Sequence, residues 1–392
     1  MKLDKAELSS SLFTYNASWF NADTANLKVF EDQGTIAINA NNLRSYVDLK
    51  DRIGIFNSNG SNSFIDLSAN KYRCYIDQLT WEMDNQQITL GAQDESALLG
   101  TKFVSLHPKQ DSLNFITQSA SYNLSDNIVY CSGVEYIDVA DAIIYPDSGN
   151  IVIGRNAKMD KIKPAKIIAD NLTEHHKFIG AQVEIEGANQ YLANGKYIYI
   201  NSDGIEQEIF FNEIKVNKDT ITVANATVLD SVNFKINNRY DFKGKIELIA
   251  NKKDLTFNGY FRINHKCTLI EKEWISFKSL INPDNIVFNL SKKIYNDQKN
   301  RIHTGISLSL DSLDLYSSFF NTKDRAIDHT ILDANYSLRY NQNDSSYLVG
   351  GPDSLSNYFK LFDESCIATA EGKIDLGLDL GRITVNTFGD IN

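Results

Sequence analysis

The sequence predicts an all-β fold, an elongated stack of short antiparallel strands of β-jellyroll or solenoid-like kind, with one short helix near the C-terminus. Three observations carry this. Residues 127–211 run as short alternating segments, each closed by a Gly, Asn, Asp or Pro cluster, and such punctuation belongs to strands and turns. Seven of the 21 glycines lead two apolar residues spaced by one position, as Gly149 leads Ile151 and Ile153 and Gly244 leads Ile246 and Leu248. A chain that is 42% apolar gives about four by chance. The glycine is read as a turn, a bulge or a close approach of two backbones, ahead of a strand with one buried face. Composition agrees: 19 Tyr and 21 Phe suit pleated, half-buried surfaces, and the Asn, Asp and Ser between the apolar runs close turns locally.

In order along the chain, the first strands fall at residues 27–30, 35–40 and 46–49, and the polar stretch around Asn59 and Gly60 reads as a hairpin turn. Tyr72, Cys74 and Ile76 keep one parity while Leu79, Trp81 and Met83 keep the other, so the chain bulges or turns at Asp77 and Gln78. Residues 94–103 read as one helical turn or a loop. A soft boundary follows between about 91 and 112, where His107, Pro108 and Lys109 interrupt the alternation. Pro146 to Gly149 forms a turn, and Asn194-Gly195 and Asp203-Gly204 read as two tight turns enclosing one strand. A further hairpin spans residues 240–263, turning at 251–254. After Pro283 the punctuation changes, and polar breaks at 291–301 and 321–329 separate short strands. Residues 353–365 carry the helix expectation, with Leu355, Tyr358, Phe359 and Phe362 on one face and Asp353 or Ser354 as cap. Three regions result: 1–105, 106–290 and 291–392.

Charge and length bound the function. A net charge of −11 without a Lys/Arg cluster excludes a phosphate-binding surface and hence nucleic acid as partner, and Lys158 to Lys166 reads as a solvated loop. No run approaches the roughly 18 apolar residues of a membrane helix. The N-terminus lacks the apolar core of a signal peptide, so the protein is either cytosolic or starts after a removed leader, and the abrupt C-terminus reads as a piece of something longer.

No catalytic, cofactor or metal constellation stands out. Cys74, Cys131, Cys267 and Cys366 are isolated, without zinc-site spacing; they read as small core or face residues, compatible with a disulfide that nothing in the spacing implies. His175 and His176, as neighbours on a strand, point to opposite faces and read as a solvated loop rather than a metal site. His265 and Cys267 share a face but have no third ligand nearby. Glu184 with Glu186, and Glu206 with Glu208, share strand faces, as polar residues on an exposed face ordinarily do. Neither a Gly-x-Ser-x-Gly elbow nor a Walker-type loop occurs. Tyr197 with Tyr199, and Tyr75, are the aromatics that could line a surface for sugar rings or acyl chains, although core packing claims most aromatic side chains.

Residues 119–153, SASYNLSDNIVYCSGVEYIDVADAIIYPDSGNIVI, carry a turn, a Gly-led strand and the segment VADAIIY, echoed by AKIIADN at 165–171. Over residues 112–265 the chain resembles the β-jellyroll modules of the lipopolysaccharide-transport and organic-solvent-tolerance family. In texture it is also similar to very large exported β-rich proteins of Bacteroidota-type bacteria. The resemblance implies a non-enzymatic segment of a larger exported chain, periplasmic, outer-membrane-associated or at the cell surface, that shields lipid acyl chains or scaffolds other envelope proteins. Such a protein keeps an unfilled apolar trough. A carbohydrate-binding or adhesive module presents exposed aromatics instead, and a β-helical glycan-degrading enzyme needs two facing carboxylates.

Overall fold

The computed structural model describes every residue except 4, 32–33, 61–62, 92–99, 352–355, 378–386 and 392. Among the described residues the chain is built of antiparallel strands, and its helical content is three single turns, Pro108–Gln110, Arg155–Ala157 and Asp230–Val232. None of these is long and apolar enough to cross a membrane. The chain divides into two compact units, residues 1–197 with 210–224, and residues 198–209 with 225–392. The soft boundary at 91–112 and the polar break at 291–301 each fall within a stretch belonging to one unit.

The first unit is organised around one long hairpin, Trp19–Phe30 with Ile36–Asp48. The strand Ile36–Asp48 bends at Asn42, whose φ is +56°, and the bend lets it serve two partners on one edge. Ile53–Ser58 pairs with its second half and Phe64–Leu67 with its first half. The apolar runs flanking Asn59-Gly60 are thus not hairpin partners of each other: a longer neighbour offers both of them a free edge. Ser63 Oγ donates to Asn42 O at 2.6 Å and fastens the second run there. From each half a separate arm continues. One passes through Tyr72–Tyr75 and Thr101–Ser105 to Asn114–Thr117; the other passes through Gln78–Glu82, Gln87–Gly91, Ser119–Asn123 and Ile128–Ser132 to Ile151–Ile153.

The parity switch at Asp77 and Gln78 is where the chain crosses from one arm to the other. Tyr72, Cys74 and Phe103 from the first arm and Leu79, Ile88, Tyr122 and Cys131 from the second are buried. Asn70 ties the arms together, its Nδ2 donating to Asn127 O at 2.7 Å and Ile153 O at 3.1 Å. Both unpaired cysteines lie in this core, where burial pushes the Cys131 thiol up to about 12 and the Cys74 thiol well above its ordinary value. A meander through Ile137–Val139, Ala142–Pro146, Ile162–Ala169 and His176–Gly187 completes the unit. Gln190–Ile200, Glu206–Val216 and Thr222–Val228 follow, and each carries residues of both units. Asn194-Gly195 sits inside Gln190–Ile200, paired to Gln182, and the turn lies earlier, at residues 188–189. Asp203-Gly204 does turn, with Gly204 N donating to Asn201 O.

In the second unit, Tyr240–Ile249, Leu255–Ile263 and Trp274–Ile281 form an antiparallel meander. A six-stranded sheet runs Val287–Asn289, Ser337–Asn341, Ser346–Gly350, Tyr358–Phe362, Ala368–Ile374 and Thr387–Ile391. A four-stranded sheet is centred on Arg301–Leu308. The expected C-terminal helix is a strand. Phe359 and Leu361 are buried while Tyr358, Lys360 and Phe362 face outward, a period of two that outweighs the helical spacing once strands flank it on both sides. Residues 353–355 of that expectation, the cap positions Asp353 and Ser354 and Leu355, lie outside the described residues.

Rings fill this core. Phe288 lies 4.0 Å from Phe261, 4.7 Å from Tyr240 and 5.1 Å from Phe277, ring centre to ring centre. Each buried phenyl stabilises by roughly 1.5–3 kcal/mol. Cys267 and Cys366, whose spacing left a disulfide open without implying one, form a disulfide with Cα atoms 5.5 Å apart.

Candidate functional site

The meander of the second unit places polar residues in rows on the face opposite its phenyl core. Register sets Asp241 opposite Arg262, and Arg262 opposite Trp274, so three residues distant in sequence stand side by side across three strands. Asp241, only 12% exposed at its side chain, accepts from Arg262 Nη2 at 2.8 Å through one oxygen and from Asn264 Nδ2 at 2.8 Å through the other. Both carboxylate oxygens are therefore held in a fixed plane.

Lys243, one step along the same face, donates to Asp297 at 2.8 Å and to Asp230 at 3.3 Å. Lys243 Nζ lies 4.3 Å and Arg262 Cζ 4.5 Å from the centre of the Trp274 ring. Two cations against the negative face of an indole fix its position, and their own carboxylate partners keep the group near neutrality.

Beside this array opens a cleft of about 480 Å³ lined by Asp230, Asn233, Phe234, Lys235, Asn238, Phe242, Asn264 and the Asp241–Arg262–Trp274 row. The 3-10 turn Asp230–Val232 and Asn233, in left-handed backbone at φ +53°, bring the upper wall round. Asn238 N donates to Asp203 Oδ2 at 2.8 Å, which holds that wall to the 203–204 turn. The cleft therefore offers three carboxamides, two carboxylates, a guanidinium, an ammonium and one indole. Such planar groups pair bidentately with neighbouring hydroxyls, and the indole offers a flat apolar surface.

A second cavity, about 620 Å³, lies in the first unit and gathers several residues singled out in the sequence. Glu184, Glu186, Lys158 and Lys161 line it together with His107, Lys109 and Gln110. Glu184 is ion-paired with Lys161. The two glutamates project from one strand rather than from opposite walls, which does not give the facing pair glycoside hydrolysis requires. Among the described residues no phenylalanine, tyrosine or tryptophan lines this cavity. A third, about 130 Å³, has apolar walls of Leu3, Leu49, Trp81, Met83 and Leu124, with Lys5, Arg52 and Gln86 also lining it.

The remaining sequence candidates scatter. His175 and His176 do not form a solvated pair: His176 is fully buried, its Nδ1 3.3 Å from Tyr197 Oη. Tyr197 is half-buried against Phe178 and Phe211, and Tyr199 is buried with its hydroxyl donating to Ile236 O at 3.2 Å, so neither offers a binding surface. Tyr75 is 43% exposed on an outer sheet face. Glu206 and Glu208 are exposed. His265 is buried beside the disulfide, where desolvation, reinforced by Lys272 and opposed by Asp363, lowers its pKa. Cys267 is consumed by the disulfide and cannot join His265 on a metal. Among the described residues no three His, Cys, Asp or Glu side chains come together as metal ligands.

Periodicity did not reveal the Trp274 row, because its members belong to DFKGK, YFRIN and EWISF, three separate runs. The signal available was that each run alternates a phenylalanine or isoleucine with a charged or indole side chain. No protein-family model and no curated protein matches this chain.

Proposed function

We propose that this chain is a non-enzymatic β-protein of the cell envelope that binds a glycan in the Trp274 cleft. One observation carries the reading: a fixed indole, a doubly held carboxylate and three carboxamides converge on a cleft of about 480 Å³, within the range of roughly 300–1,000 Å³ that small-molecule sites occupy. The Cys267–Cys366 disulfide supports an exported location, since such bonds persist in oxidising compartments. Lipid shielding, the other reading, has its best support in the apolar cavity beside Trp81. That cavity's 130 Å³ falls well below the roughly 300–1,000 Å³ of small-molecule sites.

The test is binding of the folded protein to a glycan array, followed by calorimetry on the best ligand. Trp274→Ala is expected to weaken binding by about 2 kcal/mol or more, roughly thirtyfold, without lowering Tm. A protein that binds no glycan and carries co-purified lipid in native mass spectrometry refutes the proposal in favour of the lipid reading. Unchanged affinity in the Trp274→Ala protein moves the site elsewhere.

A further inference from the structure

Two walls of the cleft belong to the two ends of one irregular connection. Asn264 leaves the strand Leu255–Ile263, Trp274 opens the strand Trp274–Ile281, and residues 265–273 between them lie outside any strand. Connections of this kind are ordinarily the least restrained part of a sheet protein. This one has little apolar anchorage: Leu269 is 99% exposed, and within 265–273 only His265 and Cys267 are buried.

Its firm attachment is to the turn at residues 363–366, between the strands Tyr358–Phe362 and Ala368–Ile374. Lys266 N donates to Asp363 Oδ1 at 2.7 Å, Lys266 Nζ pairs with Glu364, and the covalent tie is Cys267 to Cys366. The Lys266–Glu364 pair is solvent-exposed and holds weakly by itself. Farther along, Asn321 Nδ2 donates to Glu271 O at 3.1 Å, and Asn296 Nδ2 donates to Glu273 Oε2 at 3.2 Å. Cys267 stands three residues from Asn264 and seven from Trp274.

We infer that the Cys267–Cys366 disulfide is a positioning element of the ligand cleft. It holds the connection so that Asn264 stays on Asp241 and the indole stays over Lys243 and Arg262. The role in ligand binding rests on reading the cleft as a glycan site; the role in holding the indole does not. A dithiol reductant undoes the clasp in two steps. One of its thiolates attacks Sγ of the exposed Cys366, and Cys267 leaves as a thiolate that takes up a proton. The second thiol then displaces Cys366, which is protonated in turn, and the reductant, having given up two electrons, becomes a cyclic disulfide.

The protein has three tryptophans, Trp19, Trp81 and Trp274, and the first two belong to the other unit, so 5-fluorotryptophan labelling gives one reporter and two references. Trp274→Phe assigns the reporter. On complete reduction, verified by thiol titration, the Trp274 fluorine resonance is expected to shift or broaden while those of Trp19 and Trp81 hold, and affinity for the array ligand is expected to fall at least tenfold. The paired Cys267→Ser and Cys366→Ser protein should behave the same way without reductant. A Trp274 resonance indifferent to reduction overturns the inference, as does one that moves while affinity stays constant. Collapse of all three resonances together with the circular dichroism also overturns it, because the bond would then hold the fold rather than the cleft. If the oxidised protein binds no glycan, the functional reading fails, and the Trp274 resonance alone still decides whether the bond positions the indole.

Discussion

Tyr240 and Tyr347 are 1% and 0% exposed, yet among the described residues neither hydroxyl meets a protein hydrogen-bond partner. Burial raises both phenols above their ordinary pKa, so they stay neutral and contribute as aromatic rings rather than as donors. Tyr191 is the opposite case: its hydroxyl lies 2.9 Å from Thr222 Oγ1, which in turn donates to Asp141. Removing the oxygen should therefore have opposite signs at the two kinds of position. Tyr240→Phe is expected to raise unfolding free energy by about 1 kcal/mol, and Tyr191→Phe to lower it by about as much, measured by denaturant titration. Equal losses in both would show that Tyr240 has a hydrogen bond after all. The sequence identified these residues as aromatic strand positions, but whether a hydroxyl finds a partner depends on a side chain from a distant strand. In the cleft, likewise, Asp241, Arg262 and Trp274 become one array only through the register of three strands.

At the level of elements, parity was the most reliable guide and turn chemistry the least. The change of parity between Ile76 and Leu79 marks the crossing from Tyr72–Tyr75 to Gln78–Glu82, and both strands bury the side the alternation assigns them. Deleting Gln78 should turn Leu79 and Trp81 toward solvent and Thr80 toward the core. The expected result is loss of the cooperative unfolding transition or a much lower Tm, and a deletion protein as stable as the parent would contradict the register described. Five of the seven glycine-led runs fall on strands, Leu376 lies beyond the end of its strand and the run after Gly381 lies outside the described residues, and the glycines do different things. Gly149 precedes its strand, whereas Gly244 and Gly259 sit opposite each other in mid-strand. A Cβ on Gly259 would lie 2.4 Å from Lys243 O, and one on Gly244 2.7 Å from Gly259 Cα, so the pair lets two backbones close where no side chain fits. Asn59-Gly60 and Asn194-Gly195 look alike to a rule based on two residues; what separates them from real hairpin turns is which strand has an unpaired edge nearby.

For the whole molecule, the disulfide is the covalent link across a long stretch of sequence, since Cys267 and Cys366 are 99 residues apart. Closing a loop of about 100 residues removes denatured-state entropy worth about 4.7 kcal/mol in the chain-entropy model. Calorimetry before and after reduction should thus lower the transition of the unit containing residues 225–392 by several degrees. The transition of the unit built on residues 1–197 should stay where it was. Equal shifts in both would place the effect of the bond outside its own unit.

Sequence by itself determined that the fold is all-β and, outside the segment misread as a helix at 353–365, which residues alternate inward, because a period of two and its turn residues are local properties that each segment carries without its neighbours. Tertiary structure alone decided which edges pair, that Cys267 meets Cys366, and that an aspartate, an arginine and a tryptophan from three strands share one cleft. Those outcomes depend on register between segments far apart in the chain, and a pattern within any single segment is compatible with many registers.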